Sequence, residues 1–324
     1  MSSIHTNFGA TAALKTLRDV SYDLAVTQER MATGLRIDQA SKNAAYWSIA
    51  TTMRSDDKAL SAVEDALNLG TATVDVAYEG VEAAIAVTDE IKSKLVSASQ
   101  PGVDKEKVDK ELTQLKEQLK TIAGSASFNG VNWLEISDSS GSSAKLAASF
   151  YRDTNRHVYM ETIEVELWTS SGNSVTPLID NRSTSTGGEA GIFTSTQFAT
   201  AASAASNYVL IVNDSNSATA TEIALTKDTT SEEMDDMISV VDGMMLMLAE
   251  SGAQFGAVQS RMAIQTDFVA DLRDWMERGI STLIDADMDE EATRLKALTT
   301  QQQLATQALA IANNEPQNIL ALFN

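Results

Sequence analysis

Apolar residues recur along this chain in alternating steps of four and three. Ala13, Leu17, Val20, Leu24, Thr27 and Met31 form the first such stripe, with Thr27 its polar member. The spacing predicts a helix over 10–31 with a coiled-coil-like seam. Gly34 ends the pattern, as glycine does just past a helix C-terminus. Asp38 to Asn43 is polar and loop-like. The rhythm restarts at Ile49 and runs through Met53, Asp56, Leu60, Val63, Leu67, Gly70, Val74, Ala77, Val81, Ala84, Thr88, Ile91 and Leu95. A helix from Ala44 to Ser99 would be roughly 80 Å long. Pro101-Gly102 stops it. A third helix is expected from Asp104, on Val108, Leu112, Leu115, Leu119 and Ile122, closing at Gly124.

Residues 125–230 change character. Ser, Thr, Gly and Asn cluster, and apolar residues alternate by two. In 163-IEVELW-168, Ile163, Val165 and Leu167 point one way and Glu164 and Glu166 the other; 208-YVLIV-212 is a short buried-strand candidate. The helical rhythm returns near Ser231 on Met234, Ile238, Val241, Met245, Leu248, Gly252, Phe255, Gln259, Met262, Thr266, Val269, Arg273, Met276, Ile280 and Leu283. This helix should match that of 44–99 in length and pack along it. Asp285 and Asp287 punctuate the chain, and Asp287 with Glu290 reads as a capping box opening a last helix over 288–314. Pro316 should break or kink it.

The plan is symmetric about the central insertion, and both ends are poor in charge. No Lys, Arg, Asp or Glu precedes Lys15, and 297-ALTTQQQLATQALAIANN-314 carries no charge beyond Lys296. Lone amphipathic helices do not hold themselves together in water. The two ends can pair with each other, but 304-LATQALAIA-312 is apolar on two faces, one of Leu304, Ala308 and Ile311, the other of Ala305, Leu309 and Ala312. Either further copies of the chain cover the second face, in contacts that do not close and so build a filament, or the ends simply cap one helical bundle.

Composition narrows the function. The chain has 324 residues, a formal net charge of -21 and no cysteine. The acidity disfavours nucleic acid and anionic membrane surfaces as partners. Without cysteine there is no disulfide and no thiolate metal site. The N-terminal segment lacks the basic start and apolar core of a secretory signal, and no segment reaches the ~18 consecutive apolar residues of a membrane span.

Candidate chemistry is thin. His5 and His157 lie far apart, and zinc needs three or four ligands. The acidic 285-DADMDEE-291 lacks the glycine and spacing of a calcium loop and suits a helix N-terminus. The glycine-rich 186-TGGEAGIF-193 has no following Lys-Ser/Thr, so it reads as a turn. Asn181-Arg182-Ser183 is a chance sequon, and the Ser/Thr-rich middle reads as solvated loops. Met234, Met237, 244-MMLM-247, Met262 and Met276 read as packing. No cofactor, metal or catalytic residue is expected, and the chain is not expected to be an enzyme.

The run 29-ERMATGLRIDQASKNAAYWSIATTMRSD-56 resembles the N-terminal region of bacterial flagellin, and 285-DADMDEEATRLKALTTQQQLATQALAIANNEPQNILALFN-324 resembles its C-terminus, with 128-FNG-130 where the family ends its second helix. The resemblance implies a mainly α fold: a long coiled-coil or helical-bundle core formed by both termini, with a small β-rich central insertion. It divides the chain into a filament-core helix at 1–33, a spoke linker at 34–43, an outer-tube part at 44–136, a variable surface domain at 137–230, an outer-tube helix at 231–283, and a spoke with the C-terminal core helix at 284–324. It implies a structural subunit of the extracellular flagellar filament, exported unfolded by the flagellar type III apparatus. The implied partners are other flagellin copies, including sibling flagellins, together with an export chaperone and the cap and junction proteins. A hook–filament junction protein, which shares this terminal architecture, is the alternative.

The assembly residues implied are Leu17, Leu24, Met31, Gly34, Leu35, Arg36, Ile37, Tyr46, Trp47, Leu295, Leu304, Leu309, Leu320 and Phe323. Two departures stand out. The family commonly has small residues after the paired alanines, whereas Ala44-Ala45 is followed here by Tyr46-Trp47, as in flagellins of soil α-proteobacteria that build rigid filaments from several flagellins. These rings are expected to be buried between neighbouring subunits. In 88-TDEIKSKLVS-97, Glu90 replaces an arginine that many flagellins present to an innate Toll-like receptor, while Glu111 matches the family's acidic contact. Weak recognition by that receptor is expected.

Overall fold

The computed structural model describes residues 7–136, 143–153, 155, 157–167, 177–181, 191–213 and 220–321, with side chains described as far as residue 314. The helices are α1 (Phe8–Thr33), α2 (Ala44–Ala98), α3 (Lys105–Ser125), α4 (Gln197–Ala201), α5 (Ser231–Ile284) and α6 (Met288–Ala321). Short strands lie between α3 and α5: β1 (Ser127–Phe128), β2 (Val131–Asn132), β3 (Glu135–Ile136), β4 (Ser143–Arg152), β5 (Val158–Glu166), β6 (Ile179–Asp180), β7 (Tyr208–Val209) and β8 (Thr221–Glu222). The fold is mainly α, with strands confined to the central region. Contacts divide the chain into two compact units, one made by 1–58 with 272–324 and the other by 59–271.

Within 59–271, the four-three stripe of α2 is buried at every position from Leu60 to Leu95. Each fully buried Leu or Ile there stabilises by about 2 kcal/mol relative to exposure. Thr88 costs little in this seam, because its hydroxyl donates to the Ala84 carbonyl at 2.7 Å. α5 runs antiparallel to α2 in this unit: Gln259 Nε2 donates to Asp75 Oδ1 at 2.7 Å, and Lys92 pairs with Asp242. α3 buries Leu112, Leu119 and Ala123, and an ion pair of 2.5 Å between Lys94 and Glu111 joins it to α2. Lys116, only 4 % exposed, is satisfied by the Glu222 carboxylate at 2.6 Å and the Ile223 carbonyl at 3.0 Å, which fastens β8 to α3.

The FNG segment makes a tight hairpin between β1 and β2. Asn129 and Gly130 both have positive φ, 50° and 80°, which is the type I′ turn that Asn-Gly favours. Trp133, just beyond it, stacks on Phe255 of α5 with ring centroids 6.2 Å apart. Strands therefore begin at Ser127, within the stretch from 125 where the sequence changes character. β4 and β5 form an antiparallel hairpin with a bulge at Ala148, and Ile163 and Val165 are buried while Glu164 and Glu166 are exposed, as the alternation predicts. The 208–212 segment is buried through Tyr208, Val209, Leu210 and Ile211, but only Tyr208–Val209 is strand, paired in parallel with β8. β3 likewise pairs in parallel with β6.

The first turns of α5 depart from the predicted seam. Met237, Val240 and Met244 are buried, whereas the expected Ile238 and Met245 are only half-buried. This end of α5 is flanked by a further segment: Asp236 accepts the Ala205 N–H at 2.8 Å, and Phe198 of α4 lies 3.3 Å from where a side chain at Gly243 would begin. A helix covered on two sides buries a wider arc than a two-helix seam.

In the unit made by 1–58 with 272–324, α1 begins at Asn7, whose Oδ1 accepts the Ala10 N–H at 2.9 Å. It ends at Gly34 in the left-handed conformation, φ 70°, with the Gly34 N–H on the Arg30 carbonyl at 2.8 Å. Asp287 caps α6 by accepting the N–H groups of Asp289 and Glu290 at 3.0 and 3.1 Å. The reciprocal half of the expected capping box is absent among the described contacts, since Glu290 instead reaches Arg294 at 3.1 Å. α6 also continues to Ala321. Pro316 does not end it, so of the expected break or kink the break is excluded.

Candidate assembly surface

The terminal helices pair antiparallel. Arg30 of α1 donates to Glu291 of α6 at 2.9 Å, Gln302 Nε2 stands 3.5 Å from Ser21 Oγ, and Asn7 Nδ2 donates to the Ala312 carbonyl at 2.7 Å. The residues of α6 turned towards α1 are Glu291, Leu295, Leu298, Gln302, Ala305, Leu309 and Ala312, a continuous four-three stripe whose members are all buried or half-buried. Glu291 is 5 % exposed and also lies 3.8 Å from Arg294. Burying that carboxylate is tolerable because two guanidinium groups face it.

Leu304, Ala308 and Ile311, the second apolar stripe, lie exposed, with Leu304 at 59 % and Ile311 at 73 %. On α1, Leu24 and Thr27 are buried, Leu17 and Met31 are half-buried, and Phe8 and Tyr22 are each 71 % exposed. The pair thus holds a narrow seam and leaves apolar surface on both helices.

The two breaks in the helical pattern meet each other. Leu35 bridges Asp285, the N–H groups of Arg36 and Ile37 both donate to the Ile284 carbonyl, and the Ala286 N–H donates to the Gly34 carbonyl at 2.9 Å. Arg36, otherwise exposed, adds a guanidinium bond to the Leu283 carbonyl at 2.9 Å. Beneath them Ile37, Ala50, Ile280 and Ile284 form a small apolar cluster with Leu35, Met53 and Leu283 against it. Ile49, expected in the α2 seam, is 49 % exposed, and Ala50 takes the buried place. Arg273 of α5 pairs with Asp57 of α2 at 3.3 Å. Within 34–43, Lys42 reaches both Asp38 at 2.7 Å and Glu29 at 2.9 Å. The Lys42 hydrogen bond holds the Asp38 carboxyl below the usual aspartate range, and although burial pulls Lys42 down, Asp38 and Glu29 outweigh it and leave Lys42 raised.

Tyr46 and Trp47 are 43 % and 38 % exposed in the single chain. Leu295 and Leu309 sit in the α1-facing stripe; Leu320 falls in α6 beyond the described side chains, and Phe323 lies outside the described residues. Glu90 and Glu111 are exposed and line one shallow groove between α2 and α3, where Glu111 is engaged by Lys94. Sequence reasoning missed Asn7, Arg30, Glu291 and Ala50. Glu291 falls on the spacing of the α1-facing stripe, but a charge carries little weight in a hydrophobic pattern, and Ala50 lies one position off the stripe that runs through Ile49.

Among the described residues no group of three or more His, Asp or Glu side chains is placed to hold a metal, and no helix is long and apolar enough to cross a membrane. His157 sits in the β4–β5 turn, its ring 3.3 Å from Asp153, a turn contact that the sequence pattern did not reveal.

Residues 4–138 match the bacterial flagellin N-terminal helical region, and residues 238–323 match the bacterial flagellin C-terminal helical region. The chain is 47 % identical over 324 residues to Flagellin C of Rhizobium meliloti (strain 1021), covering 100 % of this chain and 99 % of that one. It is 39 % identical to Flagellin A of Rhizobium meliloti, with all of both chains covered, and 38 % identical to a flagellin of Brucella melitensis biotype 1, covering 100 % of this chain and 99 % of that one. These relatives are from α-proteobacteria, as the Tyr46-Trp47 variant suggested. A helical match at both ends together with full-length relatives settles the family: the chain belongs to the bacterial flagellins.

Proposed function

We propose that this chain is the repeating subunit of an extracellular flagellar filament. It is exported unfolded through the flagellar type III apparatus, held before export by a chaperone, and assembled beyond the junction protein under a cap. It polymerises with itself and with sibling flagellins. In this reading 1–33 and 284–324 supply the filament core, 34–43 and the Ile284–Asp287 break act as paired spokes, 44–136 with 231–283 form the outer tube, and 137–230 faces solvent.

The observation that carries the reading is the unused apolar stripe of the terminal pair. α1 buries only Leu24 and Thr27, while Leu304 and Ile311 of α6 and Phe8 and Tyr22 of α1 stay exposed. So narrow a seam gives two helices little reason to remain folded alone. Neighbouring copies would cover what the single chain leaves bare, and open-ended contacts of this kind build a helical polymer. Full-length similarity to flagellins supports a filament subunit over a junction protein.

Removing residues 305–324 tests it. The truncated chain should keep the helical signal of 59–271 but form no filaments under electron microscopy after addition of precipitating salt. Filaments of ordinary length from the truncated chain would remove the ends from the mechanism.

A further inference from the structure

Pro316 lies inside α6, which continues to Ala321. The helical donor to the Ala312 carbonyl would be the N–H of residue 316, and proline has none. In its place the Asn7 side chain, 305 residues away in sequence, donates Nδ2 to that carbonyl at 2.7 Å. The same amide group accepts the Ala10 N–H through Oδ1 at 2.9 Å. One side chain therefore starts α1 and completes α6. No other residue type of this size does both, because aspartate and serine cap as well but cannot reach out with an amide donor.

We propose that Asn7 is a positioning residue for assembly: its amide replaces the N–H that Pro316 lacks, carries α6 past Ala312, and fixes the axial register of α1 against α6. The proposal rests on the reading that the terminal pair is what polymerises. At the other end of the pair, Arg30 and Glu291 hold the register, so the two helices are pinned some twenty residues apart along each (23 on α1, from 30 − 7; 21 on α6, from 312 − 291). Apolar stripes alone permit sliding by a heptad, whereas a polar bond in a seam selects one register.

A four-protein cycle in the full-length chain decides it: the unaltered chain, Asn7→Asp, Pro316→Ala, and the two together. Asn7→Asp keeps the Oδ1 cap and removes the donor. Pro316→Ala gives Ala312 its own helical partner. Asn7→Asp is expected to raise the critical concentration for polymerisation about fivefold, the effect of one hydrogen bond left unmade. In the Pro316→Ala background the same change should cost less than about twofold. Hydrogen exchange of the backbone amides at 313–321, which needs no polymer, should follow the same pattern. Equal losses in both backgrounds, or no loss in either, overturn the proposal. If the unaltered chain never polymerises, the assembly reading fails, while the exchange cycle still decides for or against Asn7.

Discussion

Leu35 and Asp285 face each other in an antiparallel bridge, so that the break after α1 is hydrogen-bonded to the break before α6. The chain leaves one helical pair and returns to it at the same point. Gly34 makes this possible, because its left-handed φ of 70° turns the backbone into the bridge while its carbonyl accepts the Ala286 N–H.

Gly34→Ala meets no atom within 4 Å, so its cost is purely that of the backbone conformation. A loss of about 1 kcal/mol is expected. Filaments of the variant should melt at a lower temperature than those of the unaltered chain in calorimetry. An unchanged melting temperature would mean that the turn relaxes without consequence.

Glu291→Gln keeps the shape of the buried side chain and removes the charge that faces Arg30 and Arg294. A cost of about 1–3 kcal/mol is expected, because Arg30 then lacks its counter-charge. Arg30→Met in the same chain should recover part of that loss. The readout is thermal depolymerisation of the filament, and a double variant no better than Glu291→Gln alone would contradict a direct pairing.

Tyr46 and Trp47 stand about two-fifths exposed in the single chain, at 43 % and 38 %. Burial of these rings against a neighbouring subunit would contribute on the order of 2 kcal/mol each. Replacing the pair with Gly-Leu should leave the monomer's helical content nearly intact and lower the heat stability of the filament. Equal heat stability of the two filaments would place the rings in solvent in the polymer as well.

Glu90 and Glu111 present two carboxylates to one groove, with Lys94 held by Glu111. An innate receptor that reads an arginine at the first position meets the opposite charge here. Glu90→Arg should lower the half-maximal dose in a receptor-reporter assay about tenfold, or ~1.4 kcal/mol of binding. A full response to the unaltered chain at ordinary doses would overturn the weak recognition expected from the sequence.

The stripe of α2 from Leu60 to Leu95 was legible in the sequence because its four-three spacing is strict, and every position on it is buried even where α3 lies beside the helix as well as α5. Elsewhere the pattern misleads. Ile49 is the larger apolar residue, yet Ala50 is buried, in the same cluster as Ile280 and Ile284. The start of α5 buries Met237 and Met244 because a second segment covers it. The parallel pairs β3–β6 and β7–β8 join stretches too short and too far apart to leave a periodic signature. Pro316 was read by its own local rule, and the side chain that relieves it comes from the opposite end of the chain. For the assembly residues, the sequence marked both apolar faces of α6 but held nothing to say which one meets α1.

The two stripes of α6 are offset by one residue, so a rotation of about 100° about the helix axis would exchange them. Over this stretch apolar area does not make the choice, since Leu304, Ala308 and Ile311 carry more of it than Ala305, Leu309 and Ala312, yet stay outside. The choice is made by polar groups at the two ends, Glu291 beneath Arg30 and the Ala312 carbonyl beneath Asn7. The helix carries two apolar sides and a pair of index marks, and in the proposed polymer every subunit that reads those marks the same way would offer the same free side to the next.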